Sequence, residues 1–135
     1  MKKKVQAVIY TIEKEKKKYL ILHRKLHWVG WEHLKETMEQ GESYEDTIRR
    51  GIEEEIGVKE ITIEKEKGVS IPMNKKEEIV YAYLIKIDAK SKIDVSKEKE
   101  HDGYKWVEKE DALNLLTYGN AKILLNELTE TKDSK

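Results

Sequence analysis

Apolar residues recur along the chain with two different periods, which separate predicted strands from predicted helices. Residues 5–12, VQAVIYTI, are rich in β-branched side chains and predict a strand, and YLILHR at 19–24 predicts a second one. The polar run EKEKKK between them is interpreted as a turn. Three further strands are predicted at Ile61–Ile71, Ile79–Ile87 and Tyr104–Val107, the first two joined by a turn at MNKKEE.

Helical spacing of apolar residues predicts three helices. In the first, from about Tyr44 to Ile56, Ser43 and Asp46 fit a capping box, and Gly57 is well placed to end the helix. The other two helices are predicted at Glu110–Leu116 and Ala121–Leu128. Strands and helices mixed in this order, with short links between them, favour an α/β or α+β sandwich.

Apolar residues show no clear period in two segments of the chain. Residues 25–42, which include Trp28 and Trp31, are interpreted as one long loop, and such loops in compact domains are usually functional. The final residues 129–135, TETKDSK, are expected to fray. The length, without an internal repeat or a linker rich in Pro, Gly or Ser, predicts a single domain over residues 1–135.

Composition excludes several classes of function. Lys plus Arg and Asp plus Glu both number 27, so the formal charge is zero and we expect no nucleic-acid partner. No cysteine is present, which excludes disulfides, thiol catalysis and thiolate metal sites. The N-terminal apolar stretch is broken by Glu13 and is too short for a signal peptide or a membrane span. We therefore expect a soluble, cytoplasmic protein, either a monomer or a homodimer.

The first predicted helix carries an acidic residue on its apolar side. With Ile48 as the reference and roughly 100° per residue, Glu55 projects about 20° from the centre of the apolar stripe. Glu54 and Gly51 lie together on one flank, and Glu53 points to the far side. The stripe itself consists of Tyr44, Ile48, Ile52 and Ile56. A carboxylate beside a buried stripe is costly unless it is paired or bound to a cation.

Two explanations of this acidic run remain open on the helix alone. A hard divalent cation such as Mg²⁺ would neutralise adjacent carboxylates, since it binds a few carboxylates together with water and phosphate oxygens. Alternatively, residues 53–55 form a solvated charge run in which Arg49 and Arg50 make ion pairs one helical turn away.

Together with its flanks, the helix resembles the second half of the Nudix box. The family pattern is G-x5-E-x7-R-E-U-x-E-E-x-G-U, where U is a bulky aliphatic residue. The matching residues are Glu42, Arg50, Ile52, Glu54, Glu55, Gly57 and Val58. The upstream residues Trp31, Lys35, Glu39 and Gly41 are similar to the lead-in of many members. Downstream, EHDGYKWVEKEDALNLL at 100–116 is similar to a segment of Nudix diadenosine tetraphosphate hydrolases.

The resemblance implies the Nudix fold, a mixed sheet between helices, in which the box forms a loop and a helix that hold metal. It also implies hydrolysis of a diphosphate linkage in a nucleoside or dinucleoside polyphosphate, by water attack on phosphorus with Mg²⁺ or Mn²⁺ as cofactor. The implied partner is a small nucleotide substrate. The alternative is a Nudix-fold protein that has lost efficient hydrolysis and binds a nucleotide or a protein partner.

Two positions depart from the box pattern, and they favour that alternative. The opening glycine is Glu36 here, and the glutamate after the arginine is Gly51. Glu53 cannot replace the missing carboxylate, because it faces about 160° away. Gly51 is therefore either a lost ligand or a residue that makes room for the carboxylate of Glu36, which would then bind the metal. If the protein is an enzyme, Gly51→Glu is expected to raise turnover.

Four carboxylates are the predicted centre of the chemistry. Glu54 and Glu55 are predicted metal ligands on the strength of the box match, with Glu36 as the third. Glu100 resembles an extra carboxylate that some family members place near the metal as a general base. The alternative for Glu100 is an ordinary surface charge in the loop KEKEHD.

Six further residues are predicted to support these carboxylates. By resemblance, Glu42 and Arg50 form a buried pair that orients the metal ligands. The predicted substrate-binding residues are Arg24 and Lys35 for phosphate oxygens, His101 for phosphate or base, and Tyr81 for stacking on a nucleobase. Core packing is the alternative for Tyr81.

Overall fold

A mixed β-sheet with helices on both of its faces forms the protein in the computed structural model, which describes residues 2–73 and 76–130. The strands are β1 (Lys2–Glu13), β2 (Lys16–Arg24), β3 (Gly30–Glu32), β4 (Leu34–Thr37), β5 (Thr62–Met73), β6 (Lys76–Lys86) and β7 (His101–Val107). The helices are α1 (Tyr44–Ile56), α2 (Lys109–Leu115) and α3 (Gly119–Thr129). This architecture confirms the predicted sandwich.

β1 is the centre of the sheet. It pairs in antiparallel orientation with β2 and, near its start, with β4, and it pairs in parallel orientation with β6. The strand order is β3-β2-β1-β6-β5, and β7 also pairs with β2. β4 pairs with β1 and β7 pairs with β2, so both strands lie beside the central pair of the sheet.

Alternating side chains of β1 build a hydrophobic core on each face of the sheet. Val5, Ala7 and Ile9 belong to the core that α1 covers. Val8 and Tyr10 point the other way and pack in the core that α2 and α3 cover. The two cores fix α1 on one face of the sheet and the two C-terminal helices on the other.

The segment 25–42, predicted as one loop, contains β3 and β4, so that prediction is wrong in part. Leu34 of β4 pairs with Ala7 of β1 and is buried in the α1 core. Strands of three or four residues are too short to show a period, and their pairing partners determine them. The two strands bring the middle of this segment close to α1 and β2.

The turn predicted over residues 13–18 is shorter than expected. Lys14 and Glu15 alone form it, with φ angles of 51° and 67°, and β2 begins directly after them. Positive φ at two successive residues is the geometry of a tight hairpin turn that matches the twist of its strands. The lysines after the turn lie in the strand because they pair with β1.

The other predicted elements are confirmed, with ends that differ by up to a few residues. The predicted bounds of α1 agree with the structure. The turn predicted at MNKKEE includes residues 74–75, which lie outside the described part of the chain, as do residues 131–135 of the tail. Within the described ranges, no helix has the length and apolarity to cross a membrane.

Candidate active site

Helix α1 is fixed at both ends by features of its own sequence. Ser43 Oγ accepts a hydrogen bond of 3.0 Å from the Asp46 amide, and Asp46 Oδ2 accepts one of 3.1 Å from the Ser43 amide, which together form the predicted capping box. Gly57 ends the helix with a left-handed φ of 76°. Ile48 and Ile52 on the inner face are fully buried. The rotation of the helix is therefore set, and with it the direction of each acidic side chain.

Glu55 is buried beside the apolar stripe, as its helical position predicts. Its side chain is 5% exposed, and Oε1 lies 3.2 Å from Nδ1 of His101, which is 3% exposed. The other ring nitrogen of His101 lies 2.7 Å from Oε2 of Glu32. Burial disfavours the charged imidazole, but the two carboxylates outweigh it and raise the pKa of His101 to about 9. The ring is thus a cation that donates to both carboxylates at neutral pH.

Arg24 links this network to Glu100. Its Nη1 lies 3.0 Å from Oε2 of Glu32 and 3.5 Å from Oε1 of Glu100, while Nε donates to the carbonyl of Leu26. Burial opposes ionisation of Glu32, but hydrogen bonds from His101 and Arg24 hold the pKa of this carboxyl below its usual value. Burial and the nearby charge of Glu55 raise the pKa of Glu100. Glu100 is therefore the more basic carboxylate of the two that contact Arg24.

Glu32 is a functional candidate that the sequence pattern did not reveal. It is a lone acidic residue in a strand of three residues, and its burial depends on partners from β2 and β7. Because those partners are distant in sequence, no local signal identifies Glu32.

A candidate cation site lies where β7 approaches α1. Ligand atoms of Glu55, Glu100 and His101 all lie within 4.8 Å of one another. Both ring nitrogens of His101 are engaged by Glu32 and Glu55, whereas the carboxylates of Glu55 and Glu100 offer oxygen atoms to a metal. The structure thus brings together three of the predicted site residues.

Glu36 faces α1 at Gly51. A Cβ atom added to Gly51 would lie 2.9 Å from Cβ and 3.0 Å from Cγ of Glu36. The carboxylate of Glu36 lies 3.4 Å from Nη1 of Arg50 and accepts a hydrogen bond from the Thr37 amide. Burial and the charge of Glu55 raise the pKa of Glu36, although Arg50 opposes this shift.

The predicted pair of Glu42 and Arg50 is present. Oε2 of Glu42 accepts a 2.6 Å bond from Nε of Arg50, and Oε1 accepts a 3.0 Å bond from Nη2, which also donates to the carbonyl of Thr37. The guanidinium holds the pKa of Glu42 at about 2, well below its usual value. Arg50 thereby ties α1 to the loop that precedes it and to β4.

Glu54 is placed differently from Glu55. Its side chain is 46% exposed, and Oε1 pairs with Nη1 of Arg50 at 3.1 Å. It does not belong to the cluster formed by Glu55, Glu100 and His101 within the described residues.

Two adjoining cavities open beside the carboxylates. The larger, of about 560 Å³, is bordered by the aromatic rings of Trp28, Trp31 and Tyr118. The smaller, of about 270 Å³, is lined by side chains that include Arg24, Glu36 and Glu100. The residues common to both are Lys4, Trp28, Glu32 and Lys35. The two cavities therefore form one groove from the aromatic rings to the carboxylates.

The aromatic end of the groove is built by two segments that hydrogen bonds join. The Trp31 amide donates to Oγ1 of Thr117 at 2.8 Å, and the Thr117 amide donates to the Trp31 carbonyl at 3.1 Å. Trp28 contacts Tyr118 edge to face, with ring centroids 4.9 Å apart, and the guanidinium of Arg24 lies over its ring. No local sequence signal identifies Tyr118 as part of this groove.

Tyr81 lies on the other face of the sheet. It stacks on Tyr44 of α1, with ring centroids 4.1 Å apart, and packs against the α1 core. Its neighbour Val80 points to the groove instead. This placement agrees with the core-packing alternative for Tyr81.

A comparison of the whole chain with protein families gives one match. The model of the NUDIX domain matches residues 2–126. The chain belongs to the Nudix family. Its fold, a mixed sheet between helices with the box on α1 and the preceding loop, confirms the Nudix architecture that the sequence resemblance implied.

Solved Nudix structures superpose over nearly the full chain. A C. elegans Ap4A hydrolase, solved as a binary complex, has a TM-score of 0.83 and 24% identity, with 96% of each chain covered. The NUDIX domain of Shewanella oneidensis NrtR, complexed with ADP ribose, has a TM-score of 0.76 and 18% identity, covering 93% of this chain and 84% of that one. A MutT protein from Methanosarcina mazei Go1 has a TM-score of 0.75 and 21% identity, covering 98% and 95%. Identities this low establish the shared Nudix fold alone, and no curated protein matches the chain by sequence.

Proposed function

We propose that this Nudix protein hydrolyses a diphosphate linkage in a nucleoside or dinucleoside polyphosphate, with Mg²⁺ or Mn²⁺ held by Glu55 and Glu100. The observation that carries the proposal is the groove, which leads from a cavity with aromatic walls past two lysines to the carboxylates of Glu36 and Glu100, the latter beside the buried Glu55. This order of groups matches a substrate with an aromatic base at one end and phosphates at the other.

The donor set fits a hard divalent cation. Glu55 and Glu100 offer carboxylate oxygens, which Mg²⁺ and Mn²⁺ prefer, and the protonated His101 fixes the position of Glu55 by donating to it. When bound, the ion supplies charge neutralisation for phosphate oxygens and lowers the pKa of a bound water. Glu54, which pairs with Arg50 at 3.1 Å, is not part of this donor set.

The chain supplies a base for the attacking water in Glu100. Burial and the charge of Glu55 raise the pKa of Glu100 in the absence of metal, and a divalent ion on the same carboxylate would oppose this shift. Arg24, 3.5 Å from its Oε1, holds the carboxylate at the edge of the groove. In this proposal one oxygen of Glu100 would hold the metal and the other would receive the proton of the water that attacks phosphorus, while the bridging P–O bond breaks and the leaving phosphate departs with its electron pair.

Cationic and aromatic side chains along the groove position the substrate. Lys35 and Arg24 line the groove next to the carboxylates and bind phosphate oxygens by charge. Trp28, Trp31 and Tyr118 offer aromatic surface for a base at the far end. The similar C. elegans structure is an Ap4A hydrolase and the similar NrtR domain binds ADP ribose, which supports nucleotide-linked diphosphates as the substrate class.

Phosphate release over a panel of substrates tests the proposal. Dinucleoside polyphosphates, nucleoside triphosphates and ADP-ribose are each assayed with Mg²⁺, with Mn²⁺ and with a chelator. We expect turnover of at least one substrate that requires the metal and is lost in Glu55→Gln. The matched control is Glu53→Gln on the same helix, an exposed residue that pairs with Lys59 and should leave turnover unchanged. Turnover that survives chelation, or that Glu55→Gln leaves intact, contradicts the proposal.

The alternative is a protein that binds a nucleotide without efficient hydrolysis. Two observations favour it: Gly51 has no side chain to offer, and Glu54 is paired with Arg50 rather than placed in the carboxylate cluster. Calorimetric titration of the same nucleotides separates the two functions. Tight binding without product in any metal condition supports the alternative.

A further inference from the structure

We propose that Glu36 and Gly51 have exchanged roles, so that Glu36 supplies from β4 the metal-binding carboxylate that residue 51 of α1 cannot supply. This inference rests on the proposed function, because it assumes a divalent ion beside Glu55. It gives a single explanation for the two positions at which the chain departs from the Nudix pattern.

The space beside Gly51 is already taken by the Glu36 side chain. A Cβ atom on Gly51 would lie 2.9 Å from Cβ of Glu36, closer than real Cβ contacts allow, and only 3.0 Å from Cγ. Glycine is a poor helix former, and Gly51 is buried within α1, where a side chain would ordinarily be favoured. The two positions therefore accommodate one side chain between them, and it belongs to residue 36.

The alternation of side chains along β4 directs Glu36 toward α1. Leu34 is buried in the α1 core, and Glu36, two residues later, projects from the same face of the strand. Oε2 of Glu36 accepts a 3.2 Å hydrogen bond from the Thr37 amide and lies 3.4 Å from Nη1 of Arg50. Only 19% of the side chain is exposed. The carboxylate is therefore held at the wall of the groove.

The charge around Glu36 is not fully balanced by its neighbour Arg50. One guanidinium pairs with four carboxylates, those of Glu36, Glu39, Glu42 and Glu54. Glu36 also lines the smaller cavity together with Glu100. In this proposal a divalent cation beside Glu55 and Glu100 draws in the carboxylate of Glu36, which in this structure lies outside the group of ligand atoms within 4.8 Å of one another.

Binding of Mn²⁺ to the full-length protein tests the exchange without relying on turnover. Free Mn²⁺ is measured by electron paramagnetic resonance during titration, and the Mn²⁺-dependent rise in melting temperature is measured in parallel. Loss of a group that supports a metal site typically weakens affinity by about 10–100-fold. We expect Glu36→Gln to weaken Mn²⁺ binding by at least that lower bound and to reduce the rise in melting temperature.

Returning the carboxylate to the helix provides the decisive variant. The double variant Glu36→Gly with Gly51→Glu removes the obstructing side chain and places a carboxylate on α1 in the same space. We expect its Mn²⁺ affinity to lie within about threefold of the original protein, well inside the loss expected for Glu36→Gln. Gly51→Glu alone should lower the melting temperature without metal, because its Cβ meets Glu36.

Glu39→Gln is the matched control, because Glu39 also pairs with Arg50, at 3.7 Å, but its side chain is 68% exposed. Its Mn²⁺ affinity should equal that of the unmodified protein. If Glu36→Gln binds Mn²⁺ as tightly as the unmodified protein does, the exchange of roles is overturned, while the proposed function is left intact. Failure of the unmodified protein to bind Mn²⁺ would overturn the proposed function itself. A folded double variant that binds no better than Glu36→Gln would also overturn the exchange.

Discussion

His101 and Glu55 are joined through Nδ1 and Oε1 at 3.2 Å, although the two residues lie 46 positions apart in the sequence and both are almost fully buried. The same imidazole bridges to Glu32 at 2.7 Å. The His101 side chain thus stabilises two buried carboxylates, one on strand β3 and one on helix α1. This bridge holds α1 against β3 and β7 at the point where the candidate metal site lies.

Removal of the bridge should destabilise the protein strongly. His101→Leu leaves Glu32 and Glu55 without their shared donor, and loss of one partner of a buried ion pair costs about 3–5 kcal/mol. Urea denaturation measures the change in the free energy of unfolding. His23→Leu is the matched control, because His23 pairs with Asp102 in a setting where 28% and 46% of the two side chains are exposed. Its cost should remain below about 1 kcal/mol, and equal costs would contradict the bridging role.

Arg50 and Arg49 are adjacent arginines that we expect to contribute very different amounts to the free energy of unfolding. Arg50→Lys loses the two-pronged contact with Glu42 and the bond to the Thr37 carbonyl, and should cost about 1–3 kcal/mol of unfolding free energy. Arg49→Lys loses one exposed pair with Glu45 and should cost less than about 0.5 kcal/mol. Denaturation curves of the two variants give the comparison directly. Similar values would show that the Glu42 pair does not anchor α1.

The proposed general-base role of Glu100 predicts a specific kinetic defect. Glu100→Gln should lower kcat by roughly 10²–10⁴-fold, because the water loses its proton acceptor, while KM changes little. Steady-state rates are measured with the best substrate of the panel. Glu98→Gln, two residues away in the same loop and exposed, should behave as the unmodified protein. An unchanged kcat for Glu100→Gln would assign the base to another group.

His33 predicts a loss of stability in mild acid. Its ring is fully buried, Nε2 bonds to the Ala121 carbonyl at 3.0 Å, and Nδ1 has no hydrogen-bond partner among the described residues. Burial lowers the pKa of His33 from 6.5 to about 4. As the pH falls, His33 therefore takes up its proton in the unfolded chain before it does so in the folded protein. The stability associated with the neutral, buried ring is fully present above pH 6.5 and is lost as the pH falls toward 4. A shift of this size corresponds to at most about 3 kcal/mol.

His33→Gln provides the comparison, because its amide can still donate to the Ala121 carbonyl but does not titrate. Unfolding free energies of both proteins are measured between pH 4 and pH 7. As the pH falls, the unfolding free energy of His33→Gln should rise relative to that of the unmodified protein. Parallel curves would mean that His33 does not titrate differently in the folded and unfolded states.

Gly30 should not tolerate a side chain. A Cβ atom there would meet Oγ1 of Thr117 and would lie 2.7 Å from the Trp28 ring, so Gly30→Ala forces apart the two segments that border the aromatic cavity. We expect a cost of about 1–3 kcal/mol and a higher KM. Gly103→Ala is the control, because no atom lies within 4 Å of its added Cβ. Equal stability and KM in the two variants would contradict this packing.

The parts of the site that sequence could predict are those determined locally. The bounds of α1, its capping box at Ser43 and the burial of Glu55 follow from helical spacing and from residues within one turn. The hairpin after β1 was placed correctly but made too long, because a run of lysines looks like a turn although backbone pairing extends the strand through it.

The parts that sequence could not predict depend on distant partners. No local pattern marks Glu32 or predicts that His101 is buried, and both become buried only because β3 and β7 pair with the same strand. The prediction that His101 contacts substrate remains untested, but its two carboxylate partners occupy both ring nitrogens. Likewise, the Nudix box pattern identified Gly51 as a departure, and only the structure places Glu36 against it.

The bonds between Trp31 and Thr117 join the two segments that border the aromatic cavity, whereas Glu55 and Glu100 stand on α1 and beside β7. Under the proposed function, separate segments of the chain would therefore bind the base and cleave the diphosphate. A protein engineer could redesign the rim around Trp31 and Thr117 to admit a new molecule while the reaction itself is left unaltered.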